Sequence, residues 1–447
     1  MKKPKKKKQK KMKNKFKILN LFSVSRFFFY LFFAFLPFQV DALLVTENIY
    51  FSGFFNPYLS HFIYISDVFL ILSLLLLAIS LVFSNKRDEI YKKFRDFNKY
   101  ALIGAFILFG FYFMSVFFAN EYWKNSLVHS IRVFEFIIVF FLVSIRFVEI
   151  KKLLYVFIGV ISFTAVIGIF QYVLQESLGL RFFAEPLLSS DKLGIAKVGL
   201  FDRDVLRVYA TFSHPNIFAG YLVFAVFFSI YLLRNYKVLF SFILIVLLLA
   251  LLLTFSRSAI LAFIVSLLVY FSISRIRPSF RYLILAITIL LFFVMFFDLL
   301  PVLLNRLLFE DTSNLNERIL YLSISEKMFY ENVFGVGAGN FTAIMQDFTE
   351  VKLMPWLFQP VHNIFLLLTN EIGIQGIAMF LGFFFYLFAV LIKKIRKSSK
   401  LAENRFNRII LSLGIVILII GLFDHYFISL YQGQALFWLW AGLVCIR

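Results

Sequence analysis

The segment from Leu300 to His362 decides how the rest of the chain is arranged, because it is the longest weakly hydrophobic segment among many long apolar runs. It contains NLNER (residues 314–318) and GVGAGNF (335–341), and it ends in PVHN (360–363) just before another apolar run. The first asparagine of NLNER and the glutamate three residues later form a capping pair that predicts a helix start. Apolar residues then recur at roughly helical spacing, so we expect short helices within this segment.

Composition places the chain among helical membrane proteins. Of its 447 residues, 61% are hydrophobic and 16% are charged, and the mean hydropathy is +0.87. A soluble protein cannot bury that much apolar surface, so we predict a polytopic α-helical membrane protein. The single cysteine, Cys445, excludes an internal disulfide.

The first residues are strongly basic. Eleven lysines occur up to Lys17, and the net charge of the whole chain is +21. A basic segment that directly precedes an apolar run is more typical of binding to anionic lipid than to nucleic acid. No small-residue cleavage site follows the lysines, so we expect the first span to be retained as an anchor.

We count about twelve spans of the length that a bilayer requires. Their centres lie near residues 30, 72, 109, 138, 162, 221, 247, 266, 290, 379, 414 and 435. If the lysine-rich tail is cytoplasmic, 34 of the 46 lysine and arginine residues fall in the tails and gaps that this arrangement places inside. The positive-inside rule therefore predicts that both termini are cytoplasmic and that residues 300–362 lie outside.

These features predict one all-α membrane domain with a helical cap on its outer face. We expect a basic cytoplasmic tail over residues 1–20 and nine transmembrane helices over 21–299, with an outer loop at 175–207. An outer loop over 300–362 and three further helices over 363–447 complete the chain. No internal repeat and no coiled-coil heptad is visible in the sequence.

Three arginines fall on the predicted outer side. Arg207 precedes the sixth span, Arg257 interrupts two long apolar runs, and Arg318 lies in the outer loop. Guanidinium groups suit phosphate because they are always charged and bind in a bidentate way. An arginine at bilayer depth tends to face a cavity or a partner, although Arg257 can also extend to the surface from a span end. Together the three arginines can hold a diphosphate.

His362 is a candidate general base, because an unperturbed imidazole has a pKa of about 6.5. The alternative is a structural histidine at the start of a span. Asn363 and Glu371 either orient the imidazole or only cap and support that span.

Other motifs carry weaker signals. Asp202-Arg-Asp204 has the carboxylate spacing of metal-dependent nucleotide-sugar transferases, but it falls on an outer loop, where nucleotide sugars are absent. The glycines of residues 335–339 lack the strand-then-helix context of a nucleotide-binding loop, so we predict a tight backbone turn there. No set of cysteine and histidine residues has zinc-ligand spacing.

Several of these motifs, in this order and on one side, resemble the O-antigen ligase/polymerase family. The resemblance extends over about residues 200–425. It rests on Arg207–Asn216, Ser256-Arg257, Arg318, Gly335–Phe341 and His362-Asn363-x-x-Leu366.

The resemblance implies an integral-membrane glycosyltransferase of GT-C-like architecture. Such an enzyme transfers glycan from an undecaprenyl-diphosphate carrier to a hydroxyl of a lipid, glycan or protein acceptor at the outer face of the cytoplasmic membrane. It implies an inverting reaction without a metal or another cofactor. The residues matching the family's catalytic positions are Arg257, Arg318 and His362. We expect substrate to contact Arg207, Asn216, Ser256 and Asn363.

A transporter or flippase for a lipid-linked or anionic glycan is the alternative. Such a protein also has about twelve spans and arginines that face a cavity. We would expect its key polar residues near mid-membrane and often in two related halves, whereas here they collect toward one face.

Overall fold

The computed structural model describes residues 21–45, 50–51, 54–83, 98–189, 192, 194–200, 203–274 and 312–446. These residues are mostly helical, in agreement with the predicted class of fold. The basic tail, the span predicted near residue 290 and residues 300–311 lie outside the described ranges. The predicted division into domains therefore stays a prediction.

The helices before the long loop are α1 (Leu21–Phe35), α2 (Ile65–Phe83), α3 (Lys99–Met114), α4 (Trp123–Ser144), α5 (Ile150–Leu174), α6 (Pro215–Leu232), α7 (Lys237–Leu253) and α8 (Arg257–Ile273). Those of the loop and beyond are α9 (Thr312–Glu331), α10 (Phe341–Ile344), α11 (Ile364–Lys397), α12 (Leu401–Phe423), α13 (Tyr426–Ser429) and α14 (Tyr431–Cys445). Short 3-10 helices cover Ser115–Phe118, Asn120–Tyr122, Arg181–Phe183, Met345–Phe348 and Pro355–Leu357.

Seven helices in the described part are long and apolar enough to cross a membrane. They are Ile65–Phe83, Lys99–Phe118, Asn120–Ser144, Ile150–Leu174, Pro215–Leu232, Ile364–Lys397 and Leu401–Phe423. Helices α1, α7, α8 and α14 are shorter, with 15 to 17 residues, or about 22–26 Å at 1.5 Å per residue. Eleven of the twelve predicted span centres fall on one of these eleven helices, and the other lies outside the described residues.

The described residues also form three two-stranded antiparallel sheets. They pair β1 (Asp41–Val45) with β4 (His61–Tyr64), β2 (Tyr50–Phe51) with β3 (Phe54–Phe55), and β5 (Lys197–Leu200) with β6 (Arg203–Leu206). In the first sheet Asp41 lies opposite Tyr64. These strands were not predicted, because two to five residues are too few for an alternating pattern to stand out.

Helices α6 and α14 form the centre of the bundle. Fifteen consecutive residues of α14 are buried, and α6 is buried along almost its whole length. Helices α2 and α3 instead expose many large apolar side chains, including Ile71, Leu75 and Ile103. A helix that is apolar on all sides is stable only inside the bundle or against lipid, so this arrangement suits a membrane protein.

The loop after residue 311 contains its own small apolar core. Tyr321, Ile324 and Met328 of α9 pack against Phe341 and Met345. Helix α9 already includes residues 312 and 313, so the helix start predicted at Asn314 is wrong by at least two residues. The preceding residues Asp-Thr-Ser also favour a helix start, and the capping rule alone cannot choose among four such neighbours.

Several of the segments that connect the helices meet at one end of the bundle, which we call the loop end. Asn56 donates to the carbonyl of Phe358 at 2.9 Å, Thr211 donates to the carbonyl of Pro37 at 2.8 Å, and Asn125 donates to the carbonyl of Gly339 at 2.7 Å. These bonds join segments that are far apart in the sequence.

Candidate functional site

His362 lies at the loop end, immediately before α11. The next residue, Asn363, is the N-cap of this helix. The Asn363 side-chain oxygen accepts from the backbone N–H groups of Phe365 (2.9 Å) and Leu366 (3.1 Å), and its amide donates to the Leu422 carbonyl at 3.1 Å. These contacts are those of a helix cap, and they also tie the start of α11 to the end of α12.

Three side chains meet around His362. The imidazole is half-buried, with its ring centroid 5.3 Å from that of His425 and 5.9 Å from that of Tyr321. The nitrogen and oxygen ligand atoms of His362, Asp424 and His425 all lie within 4.8 Å of one another. The predicted base therefore sits beside a carboxylate and a second imidazole.

The turn between α12 and α13 places Asp424 and His425. One carboxylate oxygen of Asp424 accepts from the backbone N–H of His425 at 2.8 Å, and the other accepts from the amide of Asn216 at 2.8 Å. The Nδ1 atom of His425 shares a hydrogen bond of 2.5 Å with the hydroxyl of Ser429. Both residues are buried, so the turn is held rigidly.

Arg207 and Asn216 extend this network toward α7 and α8. The guanidinium of Arg207 donates to the Asn216 side-chain oxygen and to the Thr254 carbonyl, both at 2.7 Å. His214 caps α6 by accepting from the backbone N–H of Asn216 at 3.1 Å. Two donors of Arg207 and both polar atoms of Asn216 thus have protein partners, and the pair positions Asp424.

Burial keeps the three histidines of this site neutral. It lowers the pKa of His214 and of His425 to about 3, although Asp424 opposes the shift in both. Burial also lowers the pKa of His362; the charge of Arg318 lowers it further, and Asp424 raises it. A neutral imidazole can accept a proton, so the environment of His362 suits a general base.

Burial raises the pKa of Asp424, but the three histidines and the hydrogen bond from Asn216 outweigh that effect, so its pKa is lowered. Asp424 is therefore an anion at neutral pH. Its charge lies where it would stabilise a protonated His362.

The two remaining predicted arginines are exposed. Arg257 is the first residue of α8, and Arg318 lies in the second turn of α9. Among the described residues, neither guanidinium has a hydrogen-bond or ion-pair partner. The effect of Arg318 on the pKa of His362 places its charge near the imidazole. Ser256 is buried at the N-cap position of α8, but its hydroxyl makes no capping bond and has no partner within the described chain.

The predicted glycine-rich turn is confirmed, and it packs against an interruption of the helical geometry of α11. Gly335 and Gly337 have φ values of 93° and 99°, and within α11 Gly373 has a non-helical φ of 75°. Val336 donates to the Asn370 carbonyl at 2.9 Å, and a Cβ atom on Gly335 would lie 2.6 Å from the Glu371 carbonyl oxygen. The Glu371 carboxylate accepts from backbone N–H groups of this turn, so Glu371 supports the turn.

His362, Asp424 and His425 also form a group that could hold a metal ion in the described part of the chain. Two imidazoles and one carboxylate are ligand types that zinc accepts. Hydrogen bonds within the protein already orient Asp424 and His425, so an ion is not required to explain their positions.

Sequence reasoning identified His362, Arg207 and Asn216 but missed Asp424, His425 and His214 as members of one site. In the sequence, Asp424 and His425 stand between the spans predicted near residues 414 and 435. The available signal was an acid next to a histidine at the end of an apolar run, on the same predicted side as His362.

Comparison with known proteins adds one finding. Residues 242–381 match the family model described as O-antigen ligase. The matched range contains Arg257, Arg318, the glycine-rich turn and His362, whereas Arg207, Asn216 and Asp424 lie outside it. No curated protein matches the chain.

Proposed function

We propose that this membrane protein, whose residues 242–381 carry an O-antigen ligase domain, transfers glycan from an undecaprenyl-diphosphate carrier to an acceptor hydroxyl. The transfer takes place at the outer face of the cytoplasmic membrane, is independent of metal and inverts the anomeric centre. The observation that carries the proposal is the placement of the half-buried His362 at the loop end, beside the carboxylate of Asp424 and the imidazole of His425.

In the proposed step His362 takes the proton of the acceptor hydroxyl. The hydroxyl oxygen attacks the anomeric carbon from the side opposite the diphosphate, and the bond from that carbon to the diphosphate oxygen breaks. The electron pair of the broken bond stays on the lipid diphosphate. Arg257 and Arg318, which have no protein partner among the described residues, stabilise this charge as it develops. Asp424 stabilises the imidazolium, which then releases its proton to solvent.

The central test is the replacement of His362. In purified protein supplied with lipid-diphosphate glycan and acceptor, His362→Ala should slow transfer by about 10²–10⁴-fold. His362→Gln should be almost as slow, because an amide cannot accept the proton at neutral pH. Binding of the lipid-linked donor should change little, since arginines hold the diphosphate.

Full activity per folded molecule of His362→Ala would overturn the assignment of the base. A chelator should leave wild-type transfer unchanged, and loss of activity restored by a metal would overturn metal independence. Movement of lipid-linked glycan without a new glycosidic bond would instead support a transporter. In a deletion strain, loss of polymer length would indicate a polymerase, and loss of anchoring would indicate a ligase.

A further inference from the structure

A polar cavity lies beside the candidate site, between β4, α4 and the start of α14. It has a volume of about 70 Å³, and its lining includes Tyr58, His61, His129, Arg132, Tyr431 and Gln434. At 10–15 Å³ for each water, that is room for roughly five waters. None of these residues was singled out from the sequence for chemistry.

The cavity shares a wall with the turn that holds Asp424 and His425. Tyr58 and Ser429 both line the cavity. The ring centroid of Tyr58 lies 5.6 Å from that of His425, and the hydroxyl of Ser429 is hydrogen-bonded to the His425 imidazole. His425 is in turn next to His362, so Tyr58 or Ser429 and then His425 connect a molecule in the cavity to the proposed base.

The charges of the cavity disfavour an anion. Arg132 donates to the carboxylates of Asp67 at 2.8 Å and Glu135 at 2.6 Å, and to the carbonyl of Phe62 at 2.7 Å. A single guanidinium that already serves two acidic residues has no spare charge for a phosphate. Burial and the charge of Arg132 lower the pKa of His61 to about 4, so His61 is neutral at pH 7.

The polar groups of the cavity suit hydroxyls. Gln434 is 3% exposed, and its side-chain oxygen has no hydrogen-bond partner in the described chain, while its amide donates to the Ile428 carbonyl at 2.6 Å. A buried acceptor without a donor is unfavourable, and a ligand hydroxyl that donates to it would remove that cost. Tyr64 and Tyr431, whose rings stack on each other with centroids 4.1 Å apart, also line the cavity and add apolar surface to it.

We propose that this cavity binds a neutral sugar residue of the acceptor glycan, with a hydroxyl donating to Gln434 and others bonded to His61. This inference rests on the proposed function, because it assigns to the acceptor the cavity beside the turn that holds Asp424 and His425. A neutral sugar matches the combination of an orphaned acceptor, a neutral imidazole, tyrosine rings and an arginine that is already paired.

The binding test uses purified full-length protein in lipid nanodiscs and methyl glycosides of glucose, galactose and N-acetylglucosamine. Saturation-transfer NMR should detect at least one of them on the wild type, and Gln434→Leu should weaken that binding at least tenfold. Gln375→Leu is the matched control, because Gln375 also has a buried side-chain oxygen without a partner in the described chain but does not line the cavity. His362→Ala should bind the glycoside as the wild type does.

Three outcomes would overturn the proposal: no glycoside binds the wild type, Gln434→Leu binds unchanged, or glucose 1-phosphate binds more tightly than the neutral glycosides. If Gln434→Leu does not fold, glycoside binding is measured on His61→Phe instead, because this variant keeps a ring and removes both nitrogens. Weaker binding supports the proposal, and unchanged binding overturns it.

Kinetics separate this inference from the proposed function. Gln434→Leu should raise the KM for acceptor at least tenfold with the KM for the lipid-linked donor unchanged. Glycoside binding that depends on Gln434 in a protein without transferase activity would overturn the proposed function and leave the sugar site standing. Normal transfer with an unchanged acceptor KM would overturn the sugar site alone.

Discussion

At the residue scale, the pH dependence of transfer should follow the protonation of His362. Its pKa lies below the usual value of about 6.5, because of burial and Arg318. We therefore expect the rate of wild-type transfer to fall only at a pH below that value. Asp424→Asn removes the charge that raises this pKa and should move the acidic limb to lower pH, whereas Arg318→Gln should move it to higher pH. Rate profiles that coincide for all three proteins would contradict the role of His362.

The two exposed arginines should not tolerate lysine. Arg257→Lys and Arg318→Lys keep the charge but lose the planar fork that binds a diphosphate at two points. We expect both variants to insert normally and to lose most transfer activity, measured per folded molecule. Near wild-type rates in both would mean that the arginines act only as diffuse charge or lie outside the site.

The buried histidines should also make the fold sensitive to acid. His214 and His425 have pKa values of about 3 in the folded protein and about 6.5 when unfolded. Between about pH 3 and 6.5 the unfolded chain therefore binds more protons than the folded protein. The contribution of these histidines to the free energy of unfolding is fully present above about pH 6.5 and decreases as the pH falls toward 3. Thermal midpoints in detergent should show this fall, and His425→Gln should reduce it. Thermal midpoints that stay constant over this pH range would contradict the burial of His214 and His425 in their neutral form.

At the scale of elements, the glycine-rich turn and the break in α11 form one joint. An alanine at Gly335 would adopt a positive φ and place its Cβ against the backbone of residues 371 and 373. Strain of this kind costs on the order of 1–3 kcal/mol before the clash is counted. Gly335→Ala should therefore lower the thermal midpoint and the yield of folded protein.

The matched control for this joint is Gly110→Ala in α3, where nothing lies within 4 Å of the added Cβ. Because alanine favours a helix over glycine, we expect this variant to fold at least as well as the wild type. Equal stability of Gly335→Ala and Gly110→Ala would show that the contact between the turn and α11 does not require glycine at residue 335.

At the scale of the whole molecule, the distribution of charge predicts the orientation. The loop end carries His362 and residues 312–362, while α11 ends in the basic residues Lys394, Arg396 and Lys397. A cysteine at Asp347 should react with an impermeant thiol reagent in intact cells, after permeabilisation of an outer membrane where there is one. A cysteine at Lys397 should react only after the inner membrane is opened.

The native Cys445 is buried and should not interfere. The reverse labelling pattern would place the loop end in the cytoplasm and remove the site from the outer face.

The sequence by itself determined the membrane class, the position of eleven described helices and the positive-φ turn at Gly335–Gly339. It also indicated the O-antigen ligase resemblance, which the match over residues 242–381 confirms. These features are local: an apolar run predicts a span from its own length, and a glycine cluster predicts a turn from its own freedom of φ.

Only the tertiary structure decided which polar residues share a site. His362 and Asp424 are separated by the whole of α11 and α12, and Gln434 lies beyond a further turn, so no spacing rule connects them. Helices α11 and α12 run in opposite directions, and their packing brings the start of one beside the end of the other. Proximity of that kind depends on how helices pack, and a pattern within one segment carries no information about it.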